Sequence, residues 1–167
     1  NDGTPATGSW SEHPIDTDFN GAMSVYAVDV DGDGDMDVLG AAYHAAEITW
    51  WENNGSESFT EHIIKSSFTG AYSVYAADID GDGDMDVLGA ASGLNDIVWW
   101  ENDGTPATGS WSEHTINGSN ASAAVSVYAA DVDGDGDMDV LGIAMANYEI
   151  TWWENDGTPA TGSWSEH

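Results

Sequence analysis

Apolar residues fall along this chain in short runs, four to a set, and the sets recur. In the first set the runs are SVYAVDV (24–30), MDVLGAAY (36–43), EITWWEN (47–53) and SFTEHII (58–64), bounded by Asp, Asn, Gly and Ser. Runs of four to eight residues rich in Val, Ile, Thr, Tyr and Trp between such turn residues predict β-strands. No segment of ten or more residues carries a 3.6-residue apolar stripe with caps, which disfavours helix throughout. Four antiparallel strands per set is the simplest arrangement.

The sets are copies of one another. SVY returns at 24, 73 and 126 and WWE at 50, 99 and 152, giving periods of 49 and 53 residues. The first aspartate of each Asp-rich stretch precedes the first tryptophan of its pair by 21 residues in every copy, so this half is rigid in length. Variation falls elsewhere: NNGSESFTEH (53–62) becomes NDGTPATGSWSEH (102–114), as expected of a loop. The predicted organisation is repeat 1 over 14–64, repeat 2 over 65–116 and repeat 3 over 117–167.

Residues 1–13 carry a further copy of NDGTPATGSWSEH, which also stands at 102–114 and 155–167. They are expected to form a lone fourth strand, a partial repeat that needs a sheet from a preceding repeat or another subunit. Three units do not readily close a ring, since propellers have four to eight blades. The expectation is therefore a stretch of a longer periodic array, either a closed ring of blades or a stacked filament built from further copies of the repeat.

The pairs Trp50-Trp51, Trp99-Trp100 and Trp152-Trp153 add a packing condition. Neighbours on a strand point to opposite faces, so a one-sided sheet would expose one tryptophan of each pair. Both faces of every sheet should therefore be covered by other sheets. The fold class expected is all-β, tandem four-stranded antiparallel sheets of propeller-blade type. Trp10, Trp111 and Trp164 on the fourth strands are the alternative aromatic platform, one that would suit glycans.

Charge narrows the partners. Against 31 acidic residues stand one lysine, Lys65, and no arginine, a formal charge of -30. Such a surface repels nucleic acid and anionic membranes. No apolar run approaches the length of a membrane span, and any signal peptide would lie upstream of Asn1. Cysteine is absent, which excludes disulfides and thiolate metal sites.

Half of the acid is concentrated in three stretches, VDVDGDGDMDVLG (28–40), ADIDGDGDMDVLG (77–89) and ADVDGDGDMDVLG (130–142). Carboxylates about 5 Å apart repel by about 0.8 kcal/mol per pair even in water. A hard divalent cation offsets that repulsion, and oxygen ligands without His or Cys favour Ca2+ over zinc or copper. The spacing suits a loop wrapped round one ion, with side chains of Asp29, Asp31, Asp33 and Asp37, the carbonyl of Asp35, and a bend at Gly34. The opening resembles an EF-hand loop, but Gly40 stands where that loop requires glutamate, and strands flank it.

The pattern D-x-D-x-D-G-x-x-D between strands, followed by LGAA, WWEN and an NDG turn, resembles the FG-GAP and VCBS repeats of integrin-α-like propellers across essentially the whole chain. Phe-Gly and Gly-Ala-Pro signatures are missing, with LGAAY, LGAAS and LGIAM in their place, which favours the VCBS branch. The resemblance implies one Ca2+ per loop, three in all. The ligating positions it implies are Asp29, Asp31, Asp33, Asp35 and Asp37; Asp78, Asp80, Asp82, Asp84 and Asp86; and Asp131, Asp133, Asp135, Asp137 and Asp139.

Catalysis finds little support. Four of the five histidines, His13, His62, His114 and His167, share one repeat position and so report architecture, and His44 has no evident nucleophile beside it. N-x-[ST] sequons at Asn54, Asn117 and Asn120 mark surface turns open to N-glycosylation. The functional expectation is a non-enzymatic, calcium-stabilised extracellular or cell-surface module of a structural or adhesive protein. Its partners would be further copies of the repeat, with glycans or cell-surface proteins as other candidates. The alternative is a lectin-like propeller module.

Overall fold

Each set of four runs folds into a sheet of its own. The computed structural model describes residues 10–116 and 122–167, and its described residues form three four-stranded antiparallel sheets without helix. The first sheet contains β1 (Ala22–Val28), β2 (Asp37–Ala42), β3 (Glu47–Asn53) and β4 (Phe59–Ser66). The second contains β5 (Ala71–Ala77), β6 (Asp86–Ala91), β7 (Asp96–Glu101) and β8 (Ser112–Thr115). The third contains β9 (Ala124–Ala130), β10 (Asp139–Ala144), β11 (Glu149–Glu154) and β12 (Ser165–Glu166). Strand order within each sheet follows chain order, so every pairing is a hairpin between sequence neighbours.

Strand positions differ from the sequence expectation in one informative place. The first run was expected to extend to Val30, but β1 ends at Val28. The Val30 N–H leaves the ladder because the Asp37 carboxylate accepts it at 2.9 Å. The chain turns there and buries the Val30 side chain against the second sheet. Ahead of the first sheet, Trp10–His13 form no strand, and the remainder of the expected lone strand lies outside the described residues.

Both faces of the middle sheet are covered. Leu39, Ile48 and Trp50 of the first sheet meet Val74, Ala76, Val87 and Trp100 of the second. Leu88, Ile97 and Trp99, on the opposite face of the second sheet, meet Val127, Ala129, Val140 and Trp153 of the third. Adjacent tryptophans thus serve two different cores, as the alternation of strand side chains requires. Trp50, Trp51, Trp99, Trp100 and Trp153 are all buried.

Polar contacts repeat with the same period. His62, His114 and His167 stack on Trp50, Trp99 and Trp152 at centroid separations of 4.6, 4.4 and 4.5 Å. Each shares a 2.8 Å hydrogen bond with the glutamate two residues beyond its tryptophan, Glu52, Glu101 or Glu154. The shared histidine position is therefore architectural. Between sheets, Ser24 Oγ accepts from Val74 N–H and Ser73 Oγ from Val127 N–H, both at 3.3 Å. Tyr26, Tyr75 and Tyr128 form a ladder across all three sheets, with centroids 4.6 and 4.4 Å apart. Lys65 reaches Glu113 on the next sheet at 2.6 Å. Burial works against the charge of Glu113, but Lys65 and the Trp100 indole N–H hold its carboxyl below the usual range.

A glycine in the second strand of each sheet makes room for the rings. A Cβ on Gly89 would lie 2.7 Å from Trp100 Cζ3 and 3.0 Å from Phe68 Cε1. Gly40 stands in the same relation to Trp51 and Phe19. Both rings are buried and cannot readily move aside, so Gly89→Ala is expected to destabilise the fold by about 1–3 kcal/mol through overpacking. Urea titration followed by tryptophan fluorescence measures this, and an unchanged midpoint would mean that Trp100 does not rest on Gly89.

Candidate metal centre

The hairpin joining the first two strands of each sheet is organised by its own aspartates. Asp29 accepts from the N–H groups of Gly32 (2.8 Å) and Gly34 (2.9 Å), Asp31 from that of Asp33 (3.1 Å), and Asp33 from that of Asp35 (2.8 Å). The same four bonds recur from Asp78, Asp80 and Asp82 and from Asp131, Asp133 and Asp135. Short acidic side chains favour such local turns. The fold at Gly34, with φ of 97°, needs the left-handed backbone that glycine adopts freely. Gly83 and Gly136 repeat it at 100° and 106°.

This winding brings carboxylates together. One oxygen from each of Asp29, Asp31 and Asp33 falls within 4.8 Å of the others. In the second and third loops the corresponding trios are Asp78, Asp80 and Asp86, and Asp131, Asp133 and Asp139. Positions one and three of the loop contribute every time, position five once and position nine twice. Asp35, Asp84 and Asp137 stand outside the trios, as do Asp37, Asp82 and Asp135. The carboxylates of Asp35, Asp84 and Asp137 lie instead beside Gly55, Gly104 and Gly157 of the adjoining hairpin, in space that a Cβ there would fill.

Position nine anchors the loop to the sheet. Asp37, Asp86 and Asp139 are fully buried. Asp86 accepts from Ile79 N–H at 2.9 Å and Asn102 N–H at 2.8 Å. Asp37 and Asp139 bind Val30 with Asn53, and Val132 with Asn155, in the same way. Burial pushes the Asp86 carboxyl up to about 7; the two N–H groups oppose this, and Asp80 and Asp82 add to it. Burial likewise raises Asp31, Asp37, Asp80 and Asp133. Neutralising negative charge here is favourable, whether by a proton or by a cation.

The donor set fits Ca2+. Calcium–oxygen distances of about 2.3–2.6 Å place ligands on opposite sides of the ion about 4.6–5.2 Å apart, in keeping with trios that spread to at most 4.8 Å. Carboxylates already accepting one N–H per oxygen retain lone pairs for a metal. The ligands are oxygens, as a hard cation prefers.

The FG-GAP-like repeat model matches residues 29–89 and 86–142, each match running from an aspartate loop through a tryptophan pair or sheet contact into the next copy. The chain belongs to the FG-GAP-like repeat family. No curated protein matches it. FG-GAP repeats are typical of extracellular proteins and generally serve as non-enzymatic structural modules. Among the described residues, no helix is long and apolar enough to cross a membrane.

Other sites expected from the sequence of this FG-GAP-like chain are dispersed. Asn54 is exposed in the turn after β3, where its side chain accepts from Ser56 N–H at 3.0 Å, while Asn117 and Asn120 lie outside the described residues. Trp111 and Trp164 are half-buried against the two cores, and Trp10 is exposed, so the three positions do not form a repeated aromatic platform.

Sequence reasoning passed over the asparagine of WWEN. Asn102 is buried and donates from Nδ2 to the carbonyls of Met85, in its own loop, and Val30, in the loop of the preceding sheet, each at 3.2 Å. Asn155 does the same to Met138 (3.2 Å) and Ile79 (3.0 Å). Its occurrence in all three copies two residues after the paired tryptophans was the available signal. Asn102→Ala leaves two carbonyls short of a donor and is expected to cost about 1–3 kcal/mol. Thermal unfolding of the variant measures the loss, and a cost near zero would remove the asparagine from the list of inter-sheet ties.

Proposed function

We propose that this chain is a non-enzymatic, calcium-stabilised module of an extracellular structural or adhesive protein, with one Ca2+ in each of its three aspartate loops. The observation that carries the reading is the threefold gathering of carboxylate oxygens within 4.8 Å on a loop whose ninth position is locked into the sheet. An ion held by the half-buried to exposed early positions and the buried ninth would clamp the hairpin between the first two strands. Through Asn102 and Asn155 the clamp would extend to the preceding sheet. Extracellular Ca2+ is concentrated enough to saturate modest sites of this kind. Three bound ions would bring the formal charge from -30 to -24, since each contributes two positive charges.

Binding that favours the folded state stabilises it by about 2.7 kcal/mol per site when free Ca2+ exceeds the dissociation constant about a hundredfold. Chelation is therefore expected to lower the unfolding temperature and added Ca2+ to restore it, with native mass spectrometry counting three ions. A chelated protein of unchanged stability would overturn the structural role.

Within one loop, Asp78→Asn is expected to weaken binding more than Asp84→Asn, whose backbone carbonyl is the proposed ligand at position seven. Calcium titration by calorimetry compares them. Equal losses would place the Asp84 side chain among the ligands.

A further inference from the structure

The tyrosine that closes each SVY motif meets its own copies. Tyr26, Tyr75 and Tyr128 come from β1, β5 and β9, and the ring of Tyr75 lies 4.6 Å from that of Tyr26 and 4.4 Å from that of Tyr128. The ring planes are tilted by 46° and 43°. Centroids this close put ring atoms of neighbouring tyrosines in van der Waals contact. The hydroxyl ends converge as well: burial, and then the hydroxyls of Tyr128 and Tyr26, push the Tyr75 phenol well above its usual range. One contact spans the boundary between the first and second sheets, the other that between the second and third, and Tyr75, flanked on both sides, still keeps part of its surface in solvent.

The rest of the chain leaves this row of phenols as the place where one-electron oxidation can end in a bond. Among the described residues, the other three tyrosines, Tyr43, Tyr72 and Tyr148, touch no tyrosine ring; Tyr43 meets His44 instead. Cysteine, whose thiolate is readily oxidised, is absent. Trp50, Trp99 and Trp100 are buried between sheets. Phenoxyl radicals are short-lived, so a tyrosine already resting on its partner couples before diffusion brings it another.

We propose that the tyrosine ladder is a cross-linking site, at which a diffusible one-electron oxidant joins Tyr75 to Tyr26 or to Tyr128 through a carbon–carbon bond. Each tyrosine of the pair gives one electron to the oxidant and its phenolic proton to solvent, leaving a phenoxyl radical whose unpaired electron is shared with the carbons ortho to oxygen. One ortho carbon of each ring combines with the other, and the hydrogen on each then moves to its oxygen and restores the phenol. In total two electrons pass to two equivalents of oxidant and two protons to water. The bond would span one repeat period, 49 or 53 residues, and tie neighbouring sheets covalently in a chain that has no disulfide. It rests on the ring contacts and not on occupancy of the aspartate loops.

The test exposes the full chain, kept dilute, to photogenerated ruthenium(III) tris-bipyridine with persulfate as the final electron acceptor. Dityrosine fluorescence reports the bond, and mass spectrometry of proteolytic peptides locates it as a linked pair two hydrogens lighter than its parts. Peptides joining Tyr26 with Tyr75 and Tyr75 with Tyr128 are expected, from protein that still migrates as one chain. Tyr75→Phe keeps the ring but removes the phenol and is expected to abolish both pairs. Tyr26→Phe is expected to leave only the Tyr75–Tyr128 pair, and Tyr128→Phe only the Tyr26–Tyr75 pair. Tyr148→Phe, at an exposed tyrosine outside the ladder, is expected to leave the yield unchanged. Unfolding temperatures verify that the variants are folded, and should Tyr75→Phe unfold, the two end variants carry the test. Oxidised protein without intramolecular dityrosine would overturn the proposal, as would dityrosine that the ladder substitutions fail to remove or that maps to Tyr148.

Discussion

Paired tryptophans on one strand of every sheet impose the condition on which this architecture depends: apolar surface on both faces must be covered. A sheet with a single wet face cannot satisfy it, and neither can an isolated repeat. Stacking satisfies it for the middle sheet, where Trp99 and Trp100 enter separate cores, and only in part for the outer two. The small residues around the rings follow from the same condition. Gly89 sits under Trp100 and Phe68, and alanines line the facing strands, because two sheets can approach closely only where one of them yields volume to the indoles.

The acidic loops are subordinate to this stack, yet coupled to it. Each is folded by carboxylates that accept N–H groups a few residues away, and each is joined to the sheet by a buried aspartate that takes N–H groups from both sides of the hairpin. The asparagine after the tryptophans then reaches across to the preceding loop. Loop order, hairpin geometry and sheet-to-sheet contact therefore share atoms. The Asp86 carboxylate and the Asn102 amide thus join each loop to the stack by a short chain of hydrogen bonds.

Much of this was legible in the residues. Short apolar runs between turn residues marked the strands, the fixed 21-residue spacing marked the rigid half of each repeat, and adjacent tryptophans required covered faces. Spacing also placed the left-handed bend at Gly34. What escaped detection depended on partners distant in sequence or on competition for one hydrogen. Val30 has the character of a strand residue, but its N–H is taken by Asp37. Asn102 and Val30 are 72 residues apart, and no local pattern links them. Which carboxylates converge was the least legible feature, because every second residue of the loop is aspartate and only the backbone path distinguishes position nine, locked in the sheet, from position seven, turned towards the hairpin glycine.

The hairpin connectivity also has a kinetic meaning. β2 and β6 have the same sequence, DVLGAA, and the sheets share most of their remaining strand residues. A strand from one repeat could therefore pair within another at almost no cost in contact energy, which is the circumstance that produces misassembly and strand exchange in tandem arrays. Energy does not distinguish the correct partner here; proximity does. Every strand finds its neighbour across one short connection, and closing such a loop is faster and entropically less demanding than closing one a repeat length away. Nearly identical repeats can therefore fold in tandem because each strand meets its own partner before it can meet a copy.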